Sequence, residues 1–173
     1  MNLQIKECTI DQLDEIEQLY RICGQDMLEK GFDNWGDFYP PRATIEVDLS
    51  NNTLWGLFLE EQLLAVIVLN AVQPTPFTTV HWQFEIEPVL VVHRLAVKVA
   101  HQGNGYAKKL MLFAEKYAQE HNYGAIRLDA YSINSQLLKF YEQLGYQRTK
   151  EAIYLGAKWA HAFICFEKML ADE

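Results

Sequence analysis

Along this chain the apolar residues fall into runs of different period, and the order of those runs predicts a mixed α/β fold. Leu3 to Glu7 reads as a short strand. Thr9 then caps a helix starting near Asp11, with Leu13, Ile16, Leu19, Tyr20 and Cys23 on one face. Gly31 to Pro41 is a loop carrying Phe32, Trp35, Phe38 and Tyr39, and a short helix over Ala43 to Leu49 follows it. The apolar runs Leu54 to Leu59 and Leu63 to Asn70 flank Glu60-Glu61-Gln62 and predict an antiparallel hairpin. That turn lacks Asn-Gly or Asp-Gly chemistry, which leaves its type open.

Ala71 to Pro88 holds three of the five prolines and fits either a loop or an irregular extension of the flanking strands. Val89 to Val97 is apolar at odd and even positions alike, the pattern of a central strand covered on both faces. Tyr106, Leu110, Phe113, Ala114, Tyr117 and Ala118 keep a helical period to about His121. Ala125 to Tyr131 predicts a strand, and Asn134 to Leu144 a helix stopped by Gly145. Tyr146 to Lys150 and Phe163 to Lys168 close the chain as two more strands. No internal repeat or linker interrupts this order, so residues 1–173 are expected to form one domain with helices on both faces of a sheet.

Composition narrows the function more than the fold. Half of the residues are apolar, enough for a real core. The longest apolar stretch, Leu63 to Leu69, falls far short of the about 20 residues that span a bilayer, and no signal peptide is visible at the start. No membrane partner is expected. Cys8, Cys23 and Cys165 are odd in number and far apart, which points to a reduced, cytoplasmic setting and to neither a disulfide framework nor a metal site. The formal net charge of −8 comes without a basic run, which argues against nucleic acid as a partner.

One stretch carries local chemistry. Val91-Val92-His93-Arg94-Leu95-Ala96-Val97 runs into Gln102-Gly103-Asn104-Gly105-Tyr106-Ala107, and a long amphipathic helix opens there. Backbone N–H groups and the positive end of a helix dipole collect at such a corner and suit a phosphate-bearing ligand. A dinucleotide fingerprint needs a third glycine where Lys108 stands. It also needs its glycines almost directly off the strand, whereas Lys98 to Gln102 intervene.

Gln102-x-x-Gly105-x-Ala107, after a strand ending Leu95-Ala96-Val97, resembles the Q/R-x-x-G-x-G/A motif of the GNAT superfamily of N-acetyltransferases. A second block is also similar to that superfamily: Ile126-Arg127-Leu128-Asp129-Ala130-Tyr131-Ser132-Ile133-Asn134, then Phe140-Tyr141-Glu142-Gln143-Leu144-Gly145-Tyr146. Cys165-Phe166-Glu167-Lys168 looks like its final strand. The resemblance implies a mixed, mostly antiparallel sheet splayed at two parallel strands, with acetyl-CoA in the gap as acyl donor. Leu95, Ala96 and Val97 would line the pantetheine arm, Leu95 and Val97 through backbone groups. The N–H groups of Gln102, Gly103, Asn104, Gly105, Tyr106, Ala107 and Lys108 would hold the pyrophosphate, with no metal required.

In that family the residue matching Asn134 touches CoA, and the residue matching Tyr141 faces the thioester sulfur as a general acid. Without the resemblance, Tyr141 reads as a core aromatic and Asn134 as a helix cap. An alkylamine of pKa ~10.4 is roughly one part in 2500 free base at neutral pH, so the site also needs a proton route away from the amine. His93 breaks an otherwise apolar strand and is the first candidate base. Strand alternation puts it on the face of Val91 and Leu95, opposite Arg94, unless a bulge intervenes. Family members often carry a glutamate nearer the Val91 position, and this chain has valine there. Glu85 and Glu87, acting through water, are alternatives, and Arg94 is expected to satisfy a structural carboxylate or carbonyl. Trp35, Tyr39, Trp82 and Phe84 are candidates for the acceptor pocket. The expected activity is direct acetyl transfer from acetyl-CoA to a primary amine of a small molecule or peptide. An acyl-CoA-binding sensor and a protein N-terminal or lysine acetyltransferase are the alternatives. Dimers are common in the family, so a homodimer is a further expectation.

Overall fold

A computed structural model describes residues 2–170 and divides by contacts into two units, 2–69 with 93–114 and 70–92 with 115–170. Strand β4 (Val89–Val97) and helix α3 (Tyr106–Glu120) each contribute to both units.

In the first unit, strand β1 (Leu3–Glu7) leads through a 3-10 turn at Ile10–Gln12 into helix α1 (Leu13–Glu29). The Gln12 side chain accepts the Thr9 N–H at 2.9 Å, closing the start that the Thr9 position predicts. Helix α2 (Arg42–Ser50) follows the aromatic loop, and strands β2 (Leu54–Leu59) and β3 (Gln62–Asn70) form the hairpin. Strand β1 pairs antiparallel with β2, from Leu3↔Leu59 to Glu7↔Trp55. The β2–β3 turn is made by Glu60 in the left-handed region, φ 55°, so a glutamate does there what Asn-Gly does in commoner hairpins. Ile16, Leu19, Tyr20 and Cys23 of α1 and Ile45 and Leu49 of α2 bury their apolar faces with Leu54 and Phe58 of β2 and Leu63, Val66 and Val68 of β3. Trp55 alternates to the other face of the sheet and packs at a tilt against Phe113 of α3, with ring centroids 4.9 Å apart.

The second unit holds the start of β4, strand β5 (Ala125–Tyr131), helix α4 (Ser135–Gln143) and strands β6 (Gln147–Ile153) and β7 (Phe163–Met169). Residues 71–88 form a loop with one 3-10 turn at Thr75–Thr79, so the irregular-strand reading does not hold. Pairing of β5 with β7 is antiparallel along its length, Ala125↔Met169 to Tyr131↔Phe163. Strand β6 runs past the expected Lys150 to Ile153, with a register shift between Arg148 and Ala152. The sheet order is β1-β2-β3-β4-β5-β7-β6. Its one described parallel ladder, β4 with β5, covers Val89↔Ala125 to Val91↔Arg127 and stops there. No helix among the described residues is long and apolar enough to cross a membrane.

Candidate active site

Lys98 to Gln102 make a 3-10 turn at Val99–His101, and Gln102 Nε2 donates back to the Val97 carbonyl at 3.2 Å. Gly103 and Gly105 take φ of 80° and 77°, conformations that disfavour other residues, and a Cβ at either would meet only open space. Between them Asn104 is fixed by its side-chain amide on the His101 carbonyl, 2.9 Å away. Lys109 N–H bonds the Gly105 carbonyl at 3.0 Å as α3 begins. The N–H groups of Tyr106, Ala107 and Lys108 stand in the first turn, ahead of any intrahelical acceptor, at the positive end of the helix. Residues 102–105 are solvent-exposed, so the main-chain donors of the corner are open to an incoming ligand.

Upstream of the corner, Arg94 lies in mid-strand at φ 49°, a costly conformation for a residue with a side chain. Three elements hold it. Its guanidinium donates to Asp48 of α2, from Nε at 3.1 Å to Oδ2 and from Nη2 at 2.7 and 2.6 Å to the two oxygens. Nη1 reaches the Tyr39 hydroxyl at 3.2 Å, and the Tyr20 hydroxyl of α1 donates to the Arg94 carbonyl at 2.9 Å. Burial would strip the proton from Arg94, but Tyr39 and Asp48 more than offset it and the guanidinium titrates above its ordinary range. Burial also pushes the Asp48 carboxyl upward, against the pull of Arg94. Arg94 therefore has the structural carboxylate the sequence predicted, although Asp48, Tyr20 and their role escaped the sequence reading. A residue in the left-handed region does not continue the pleat, so the alternation from Val91 through His93 to Leu95 is interrupted. His93 is half-buried, Leu95 and Val97 are half-buried, and Ala96 is buried. The Val97 carbonyl accepts from the Cys23 thiol at 3.2 Å as well as from Gln102.

The motif and the corner coincide with a family-level match. The model described as the acetyltransferase (GNAT) family matches residues 13–146. The chain belongs to the GNAT acetyltransferase family. No curated protein matches it significantly. Its fold is also that of solved GNAT structures. An acetyltransferase of the GNAT family from Streptococcus agalactiae superposes with a TM-score of 0.80 at 19% identity, over 98% of this chain and 96% of that one. The PaiA N-acetyltransferase from Thermoplasma acidophilum, in complex with coenzyme A, gives 0.68 at 18% identity over 98% and 99%. YncA from Salmonella typhimurium, with its cofactor acetyl-CoA, gives 0.70 at 12% identity over 100% and 96%.

In the second unit of this GNAT chain, Asn134 caps α4, its Oδ1 accepting the Leu137 N–H at 3.1 Å. Tyr141, on the same helix, is 5% exposed, with its ring against Phe140, Tyr146 and Phe166. Burial first, and then the negative Asp129, push its phenol well above the ordinary value. Glu85 and Glu87 are exposed, and Glu87 accepts from Gln73 Nε2 at 3.5 Å.

The four candidate acceptor residues fall into separate groups. Trp35 and Tyr39 lie in the first unit, where Trp35 packs edge-on to Tyr20 and beside Tyr39. Trp82 lies in the second, stacked on the Arg127 guanidinium at 4.2 Å, and the Phe84 carbonyl accepts from Arg127 Nη2. Arg127 is opposite Glu167 across the β5–β7 ladder, whereas Leu128 is opposite Phe166, which packs on Tyr141. Trp82 and Arg127 are therefore on the face of this half-sheet that α4 does not cover. Sequence reading missed Arg127 and Glu167 as well. The available signal was charge inside two largely apolar strands, Arg127 and Asp129 in β5 and Glu167 and Lys168 in β7. Among the described residues no group of three His, Cys, Asp or Glu is placed to hold a metal.

Proposed function

We propose that this chain is an acetyl-CoA-dependent N-acetyltransferase that acetylates a primary amine of a small molecule or peptide by direct attack. The observation that carries the reading is the corner at Gln102 to Lys108. Two glycines at positive φ and open space at both Cβ positions leave room for close backbone approach by a diphosphate, and first-turn N–H groups supply its donors. The two solved relatives that carry coenzyme A or acetyl-CoA support the same ligand. The family match runs through residues of both units, which supports a single acetyltransferase domain.

On this reading Leu95 to Val97 offer strand backbone to the pantetheine arm. The Val97 carbonyl is already used inside the protein, so a pantetheine amide bonding it would share or displace Gln102. Asn134 caps its helix and contacts the donor from that position. The amine nitrogen attacks the thioester carbonyl, the C–S bond breaks, and its electron pair stays on sulfur. Tyr141, held protonated by burial, gives the departing sulfur its proton. The amine's surplus proton leaves through His93, or through water to Glu85 or Glu87. Trp35 and Tyr39, beside the Arg94 network, are the acceptor-side aromatics this reading favours. Trp82 and Phe84 are committed to Arg127 on the face that α4 leaves uncovered.

The test is thiol release from acetyl-CoA with a panel of primary amines, with donor affinity measured separately. Amine-dependent release is expected, and Tyr141→Phe is expected to lower kcat by about 10²-fold or more while leaving the acetyl-CoA Kd within a factor of about two. Tight binding without release for any amine would favour a sensor. No binding would refute the reading.

A further inference from the structure

The face of the β5–β7 half-sheet opposite α4, where the 71–88 loop packs, carries an open pocket of about 250 Å³. Pro74, Phe77, Val80 and Trp82 give it apolar walls, and Gln73, Thr78 and Arg127 supply its polar groups. Arg127 is 5% exposed; Glu167 lies opposite it in the β5–β7 ladder and Glu87 pairs with it only at 4.0 Å, so neither carboxylate takes its hydrogen bonds. Nη1 donates to the Gln73 side-chain oxygen at 2.8 Å and Nη2 to the Phe84 carbonyl at 2.9 Å, both neutral acceptors. Nε is buried with no partner. Glu87 stands 4.0 Å away and is mostly in solvent. Glu167 has both oxygens on backbone, accepting the N–H groups of Gln83 and Phe84.

A buried guanidinium is ordinarily paired with an anion, because burial without one leaves most of the desolvation penalty standing. Here burial outweighs Glu167 and Glu87 and pushes the Arg127 pKa down. Five N–H donors with two bonded acceptors leave donors to spare at the wall of a pocket of mixed polar and apolar lining. Securing the 71–88 loop needs only the bonds already made to Gln73 and Phe84. That role leaves the cavity and the spare donors unexplained.

We infer that this cavity binds a small monocarboxylate with a short apolar body. The carboxylate sits on Arg127, in place of or beside the Gln73 amide, because a planar guanidinium fork matches a planar carboxylate. The apolar body lies against Pro74, Phe77 and Val80. Glu87 and Glu167 oppose any anion at Arg127, and a dianion about twice as strongly, so the ligand carries a single negative charge. The site does not depend on the proposed acetyl transfer.

Calorimetric titration of the full chain with benzoate, and with neutral benzamide, tests this. Saturable millimolar binding of benzoate is expected, as suits a ligand of so few atoms, with benzamide weaker by about tenfold or more. Arg127→Met is expected to abolish benzoate binding. Thr78→Trp fills the cavity without removing any bond of Arg127, and it too is expected to abolish binding while the variant still melts cooperatively. Equal affinities for benzoate and benzamide would overturn the inference. So would benzoate binding that survives Thr78→Trp, or no saturable heat across the millimolar range.

Discussion

Removing the carboxylate beneath Arg94 is the sharpest test of how the first unit holds its strand. Asp48 is 5% exposed and accepts three charge-assisted bonds from Arg94, whose side chain is itself only 10% exposed. Asp48→Leu would leave a buried cation whose remaining bonded partner is the Tyr39 hydroxyl. Breaking one side of a buried pair costs about 3–5 kcal/mol, because the surviving charge keeps its desolvation penalty. Arg94 cannot escape by losing its proton, since a guanidinium stays charged in proteins. For a chain of this size about 2–4 °C of Tm is lost per kcal/mol, so the melting temperature should fall by roughly 6–20 °C.

The companion variants decide the cause. Arg94→Met alone leaves Asp48 buried and unpaired, and should cost a similar about 3–5 kcal/mol. Asp48→Leu with Arg94→Met replaces both charges by apolar groups, which is often close to neutral, so the double variant should recover most of the loss. Urea unfolding of all four proteins gives the coupling energy, expected at about 6 kcal/mol, because the double variant recovers most of both single losses. The reasoning fails if Asp48→Leu costs less than about 1 kcal/mol, the range of an exposed pair. It fails equally if the two single losses add in the double variant.

Other consequences are nearer the proposed chemistry. Gly103→Ala and Gly105→Ala force a Cβ into the left-handed region at a cost of about 1–2 kcal/mol each. The surrounding space is open, so any loss is conformational, and calorimetry should show acetyl-CoA binding weakened by about tenfold. Unchanged affinity would remove the corner from the donor site. Tyr141 keeps its proton well above its ordinary range, so kcat/KM should climb with amine deprotonation to about pH 9.5 without a falling limb. A descending limb between about pH 8 and 9 would exclude so strongly buried a phenol as the acid. Burial raises the thiols of Cys8 and Cys23 from 9.0 to about 12. Folding therefore favours their protonated form. That contribution is full below pH 9 and is lost as pH rises from 9 towards 12, so the urea midpoint should drop between pH 8 and pH 10.5. The native thiols should also resist Ellman's reagent at pH 8 until the protein unfolds.

What could be read from the sequence was what neighbouring residues decide between themselves. Strand β4 was evident because a strand buried on both faces is apolar at odd and even positions alike, as Val89 to Val92 and Leu95 to Val97 are, and the corner because its glycines, its turn and its helix start lie within a few residues of one another. The pieces that escaped are joined over distance. Asp48 meets Arg94 across 46 positions, and no local pattern marks a partner that far away. The loop 71–88 was ambiguous because its own sequence does not settle its course. Arg127 takes the Phe84 carbonyl across 43 positions, and Glu167 takes the Gln83 N–H across 84. Arg127 and Glu167 are buried in strands that also carry Asp129 and Lys168, and burial of a charge is costly enough to imply a partner without identifying it. The same asymmetry governs function. A diphosphate is held by main-chain donors whose arrangement a short motif can encode. An acceptor is selected by side chains gathered from distant segments, so its recognition is written in contacts between segments that no short motif spans.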